Sequence, residues 1–208
     1  MALRPAPSSV EYANFTIRPS RTQIVQISGF TGSQQVINRG PSTWQGSLSI
    51  PFAKTAGQAR EIMAWLVSMD GASNHTHISG RDVKEIRPDF TSPRGPNWII
   101  DTIESDDYVT IDTNINDVDY GQVFRVGNFF SVVSPRNSEV TRTFIVTDLD
   151  LRGRRVELNP KGVLQVGQIL SSEPVLSVNF SVDENRPETE YTPDFNGSWS
   201  LQWREILG

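Results

Sequence analysis

The chain has 208 residues, of which 37% are hydrophobic and 21% charged, and it carries a formal net charge of −5. This is the composition of a folded chain, long enough for one large domain or two small ones. It contains no cysteine, which excludes disulfide scaffolds, thiolate metal sites and cysteine nucleophiles, and its acidity argues against general binding to nucleic acid.

The N-terminal MALRPAPSSVEY lacks the apolar stretch of a signal peptide, and no apolar run is long enough to cross a membrane. The expectation is a protein made and assembled in a cytosol. YANFTI (12–17), QIVQI (23–27) and QQVINR (34–39) read as short strands between Pro, Ser and Gly clusters. Trp44, Gly46, Leu48, Ile50 and Phe52 then fall on alternate positions, a strand with one buried face.

The period changes after Phe52. Ala56, Ala59, Ile62, Met63 and Leu66 form a stripe at helical spacing. Thr55 followed by Gln58 is a capping-box start, and Gly71 is a stop signal. The spacing predicts an amphipathic helix over 55–70, with Trp65 at the edge of the stripe.

TSPRGPN (91–97) marks a domain boundary. Beyond it NWIIDTI, DYVTID, QVFRV, NFFSVV, TRTFIVTDL, RRVELNP and VLSVNFSV read as short strands at turn-punctuated spacing, the pattern of a small barrel or sandwich. Residues 183–196 read as a polar loop. In the last strand Trp199, Leu201 and Trp203 face one way, and Ser200, Gln202 and Arg204 the other. Two large aromatics on one face need a core, so this strand is expected to return beside the strand of Trp44. The expected domains are 1–95 together with 183–208, and an inserted barrel over 96–182.

These residues carry a resemblance. The strand–helix unit of 44–71 with its AWLVSMDG ending, the middle segment and the closing aromatic strand together resemble a siphophage distal tail protein. FRVGNFFSV (124–132), TFIVTDLDLRGRRVELNP (143–160) and LQVGQIL (164–170) resemble that family's small OB-like barrel, with Asn128 where Asp is commoner. The resemblance implies a mainly β fold. It would comprise a β-sandwich-like ring-forming domain with one amphipathic helix, plus the inserted OB-like barrel. It also implies a virion protein, assembled in the host cytoplasm, whose copies form a ring, expected to be a hexamer, at the distal end of the tail. Its partners would be itself, the tail tube protein and the hub or fibre proteins, with no specific nucleic acid and no membrane. Trp65, with Arg60 and Glu61, is named for the subunit contact. The alternatives are a carbohydrate- or receptor-binding module of the tail tip, or another baseplate or tube component.

Chemical motifs are thin. His75 and His77 would share one face of a strand, but no further histidine or cysteine completes a metal set, so a third ligand would have to be Asp or Glu. Two ordinary surface histidines are the preferred reading. DTNINDVD (112–119) resembles the opening of a calcium loop, yet the Gly and Glu that an EF-hand needs are replaced by Asp117 and Val123. It reads as a solvated acidic loop, with a calcium site of another kind as the alternative. With Asp106, Asp107, Asp112, Asp117 and Asp119 in a stretch that holds no basic residue, it is also expected to face a basic partner. Arg152, Arg154 and Arg155 read as a charged turn, set against an anion contact. Asp106 and Asp107 are adjacent and would point to opposite faces of a strand, so they make a poor hydrolytic pair. No triad order, nucleophile elbow or phosphate loop is present. No catalytic residue, metal or cofactor is assigned, and the expectation is a protein that is not an enzyme.

Overall fold

The computed structural model describes residues 2–20, 23–27, 31–32, 34–38, 43–51, 53–69, 73–88, 90, 97–104, 108–112, 117–134, 137–152, 154–160, 164–181 and 199–206. The fold is mainly β. In chain order its elements are β1 (Arg18–Ser20), β2 (Gln23–Ile27), β3 (Gln34–Asn38), β4 (Thr43–Ile50), α1 (Ala56–Met69), β5 (Thr76–Ser79), β6 (Asn97–Ile103), β7 (Tyr108–Asp112), α2 (Asp117–Val123), β8 (Phe129–Val133), β9 (Thr141–Asp150), β10 (Arg155–Asn159), β11 (Ile169–Ser171), β12 (Val175–Ser181) and β13 (Trp199–Glu205).

Five strands make one sheet in the order β1-β4-β13-β12-β5, and β2 and β3 form a separate hairpin sheet. The final strand does return beside the strand of Trp44, with Trp203 opposite Gly46 and Leu201 opposite Leu48. Register puts Trp44, Leu48 and Ile50 of β4, Trp203 of β13 and Phe180 of β12 on one face, and all are buried. Apolar burial on this face is the main stabilising term, at roughly 25 cal/mol per Å².

Helix α1 covers that face. It starts where Thr55 Oγ1 accepts the Gln58 N–H at 3.1 Å, while the Gln58 side chain accepts the Lys54 N–H at 2.7 Å. Its buried residues are Ala59, Ile62, Trp65 and Met69. The stripe is therefore rotated from the expected one, and Trp65 lies inside it rather than at its edge. The sheet sets this rotation. The Trp65 indole meets Phe180 edge-on at 5.6 Å, and its Nε1–H donates to the Arg4 carbonyl at 3.2 Å. Gly71, the expected stop, lies outside the described residues.

The open edges of the sheet are blunted. On β1, Thr16 and Arg18 share the pairing side, since Thr16 N–H donates to Ser47 O at 2.8 Å. Pro19 therefore turns its N–H-free nitrogen outward, where an added strand would need a donor. Next to β5, the His75 N–H and carbonyl are taken by Ala2 O and Arg4 N–H at 3.1 and 2.7 Å.

The chain leaves this sheet after β5, builds a closed antiparallel barrel of order β10-β7-β6-β11-β8-β9, and re-enters as β12, the neighbour of β5. The fold class is thus a β-rich unit with one main helix, plus a small barrel. Two details correct the expectation. VLSVNFSV is β12 and belongs to the sheet, because its alternation matches β13 and β5. QVFRV is not a strand: α2 runs to Val123 and sends Tyr120, Val123 and Phe124, a helical i, i+3, i+4 set, into the barrel core. The core also holds Trp98, Ile100, Phe130, Phe144 and Leu170.

Candidate functional site at the junction of sheet and barrel

The two units meet where β9 of the barrel crosses the ends of β4, β12 and β13. One carboxylate organises the meeting. Glu205 ends β13 two residues after Trp203, so it falls on the buried face, and it is 3% exposed. Its Oε1 accepts the main-chain N–H of Thr143 in the barrel at 2.9 Å, and its Oε2 accepts that of Trp44 in the sheet at 3.2 Å. Trp44 completes the bridge by donating its indole Nε1–H to the Thr143 carbonyl at 2.7 Å. Burial pushes the Glu205 carboxyl up to about 7; the Thr143 N–H, the Arg142 charge and the Trp44 N–H each pull it the other way. Arg142 is itself buried, and desolvation lowers its pKa.

Around this bridge, Phe129 packs edge-on against Trp44 at 5.7 Å, and Ile145 joins the sheet core. Thr141 N–H donates to Ser177 Oγ at 2.8 Å, and the hydroxyls of Thr141 and Thr143 both donate to the Val175 carbonyl, at 2.6 and 3.0 Å. The apolar contacts and paired polar groups together fix how the barrel sits on the sheet.

A second contact comes from the two histidines. They share one face as the spacing predicts, and the Nε2 atoms of His75 and His77 lie 3.2 and 2.9 Å from one acceptor, the Glu139 carbonyl before β9. His75 is fully buried, which corrects its reading as a surface residue, and burial lowers its pKa. Among the described residues no group of three His, Asp or Glu side chains is placed to hold a metal.

The sequence-predicted site residues do not converge. Trp65 is 5% exposed and spent on Phe180 and Arg4, which leaves no free face for a neighbouring subunit. Arg60 and Glu61 are exposed on α1, and Glu61 accepts a hydrogen bond from Ser9. Arg60, Ala64 and Val67, at i, i+4 and i+7, form an exposed stripe, with Val67 71% exposed. Asp106 and Asp107 lie outside the described residues, as do the side chains of Asp112 and Asp117. Asp117 and Asp119 sit in α2, so the predicted acidic loop is helical from residue 117. Arg155 is held by Asp150 and Glu104, each at 2.8 Å, and Arg154 lies over the Tyr120 ring. These two arginines are committed within the barrel rather than set out for an anion.

Two further features lie on the surface. A cleft of about 130 Å³ is lined by Pro19, Thr43, Trp44, Ile145, Asn159 and Pro160, among others. On the outer barrel wall Ile99 pairs with Ile169, and Val133 follows Val132, the partner of Leu170. Ile99, Ile169 and Val133 therefore form one cross-strand row, each at least half exposed. No family model matches the chain, and no curated protein matches it.

Proposed function

We propose that the chain is a structural protein of a phage tail, a distal tail protein whose copies close into a ring of about six at the end of the tube. The barrel would face outward toward hub or fibre proteins. The observation that supports this most is the insertion itself. The barrel leaves and re-enters the sheet between adjacent strands β5 and β12, so the five-stranded sheet is complete without it. One unit is then available for a repeating contact and the other for a different partner.

The blunted sheet edges direct the ring contact elsewhere. The exposed stripe of α1, with Arg60, Ala64 and Val67, takes the place of Trp65 as the surface for a neighbouring copy. The row of Ile99, Ile169 and Val133 suits an apolar contact with another tail protein. A carbohydrate-binding module would need an exposed aromatic platform, and Trp98, Tyr120 and Phe130 are instead buried in the barrel.

Sedimentation of the purified chain tests the reading. The expected particle has about six times the 23.2 kDa chain mass, and Val67→Glu shifts it toward the single chain. A wild-type chain that stays at its own mass at tens of micromolar contradicts self-assembly through this surface.

A further inference from the structure

We propose that the exposed barrel face of Asn97, Ile99 and Ile169 is a second seat, built like the one that holds the chain's own sheet, and that it takes a strand of another protein presenting a tryptophan. The barrel repeats itself about an internal two-fold axis. FRVGNFFS (124–131) is matched by LQVGQILS (164–171). In each the glycine is left-handed, with φ +100° at Gly127 and +83° at Gly167. Gly127 N–H donates to Val146 O at 2.9 Å, and Gly167 N–H to Ile100 O at 2.8 Å. Thus β8 corresponds to β11, β9 to β6 and β10 to β7. Register agrees: Ser131 pairs with Ser171 at one end of the axis, and Val109 with Val156 at the other. The β6–β7 ladder skips Asp101 after Ile100, and the β9–β10 ladder skips Thr147 after Val146, so each half carries the same bulge.

The axis carries an occupied face onto an open one. Phe129 and Ile145 are a cross-strand pair packed on the sheet core, and Phe129 meets the Trp44 ring. Their counterparts, Ile169 and Ile99, are also a pair and are 55% and 50% exposed. Main-chain groups correspond too. Thr143 gives its carbonyl to the Trp44 indole N–H and its own N–H to Glu205. Its counterpart is Asn97, which pairs with Ser171 as Thr143 pairs with Ser131. Ile100 bonds toward β11 through Gln168 O and Gly167 N–H, so alternation turns the Asn97 N–H and carbonyl to the opposite side. There they lie beyond the last β6–β7 pair, Ile99 with Asp112.

This arrangement selects its occupant. An apolar pair beside an outward carbonyl fits a large apolar ring that carries one N–H donor, and among side chains that ring is indole. Tryptophan is also a frequent anchor of protein interfaces. A second copy of this chain does not offer one. Trp44, Trp65, Trp98 and Trp203 are each no more than 5% exposed, and Trp199 packs against the sheet core. The partner is therefore a different protein. This gives a chemistry to the outward barrel contact proposed above and rests on that reading for the partner, while the seat itself rests on the barrel alone.

The test uses indole as the probe on the full-length chain labelled for NMR, with benzofuran as the matched ring that has no N–H. Millimolar affinity is expected of so small a ligand, so each is titrated to about 10 mM. Indole should give saturable shifts clustered at Asn97, Ile99 and Ile169, and benzofuran should leave the Asn97 carbonyl carbon in place. Ile169→Glu and Ile99→Glu should each weaken indole binding about tenfold or more, with the Thr143 amide of the occupied seat unmoved. Wild-type chain with no saturable shift at these residues overturns the proposal. So do shifts centred on Val67 of α1, an Asn97 carbonyl that responds equally to benzofuran, or binding that survives both substitutions. The wild-type titration decides by itself, so a variant that fails to fold does not shelter the idea. A chain that sediments singly yet takes indole here loses the ring and keeps the seat, whereas a ring that ignores indole loses the seat alone.

Discussion

Gly46→Ala should damage the fold out of proportion to one methyl group. Gly46 lies mid-β4, opposite Trp203. A Cβ there would fall on the Thr16 carbonyl oxygen, within 2.8 Å of its carbon and 2.9 Å of Trp203 Cζ2. Neither neighbour can give way cheaply. Thr16 is fastened by its N–H to Ser47 O, and Trp203 is fully buried and stacked on Phe15 with centroids 5.2 Å apart. Relief requires lifting the segment before β1 off β4. Overpacking costs about 1–3 kcal/mol, the aromatic pair about 0.5–1.5, and each lost hydrogen bond about 1. The expected loss is about 3–5 kcal/mol, or a fall in Tm on the order of 10 °C for a chain of this size. Thermal unfolding followed by circular dichroism measures it. A Tm within about 2 °C of wild type would refute the close approach of Thr16, Gly46 and Trp203.

Gly57→Ala should have the opposite sign. A Cβ at that α1 position meets only Thr55 Oγ1 at 3.8 Å, and alanine favours the helix by up to about 1 kcal/mol, so Tm should rise. A fall in the same melting experiment would count against the placement of the helix start. Trp65→Ala should cost about 3–5 kcal/mol in urea unfolding of the chain, as a core truncation does. A stability change below about 1 kcal/mol would instead restore Trp65 to the surface.

The sequence reveals elements with a clean period. The alternation of Trp44, Gly46, Leu48 and Ile50, the cap at Thr55 and the paired aromatics Trp199 and Trp203 placed β4, α1 and β13, and even the pairing of β13 with β4. It does not reveal which sheet a strand joins. Alternation in VLSVNFSV says that one face is buried, not that β12 lies between β13 and β5. QVFRV shows the same limit, because its apolar residues fit a strand until Tyr120 is counted with Val123 and Phe124. Trp65 shows how a sheet selects the buried side of a helix: the Phe180 ring and the Arg4 carbonyl draw the indole inward. Glu205 was missed because a charged residue near a chain end looks solvated. Its signal was parity, since it follows Trp203 by two and so shares the buried face. The bridge to Thr143 depends on contact between segments 62 residues apart, which local pattern does not encode.

Electron micrographs of the purified chain in negative stain test the assembly most directly. The account predicts closed rings of about six copies, with the barrels as separate lobes around the outer rim and the α1 stripe between neighbouring subunits. Single chains at tens of micromolar, or rings whose subunit contacts run through the barrels, would contradict it.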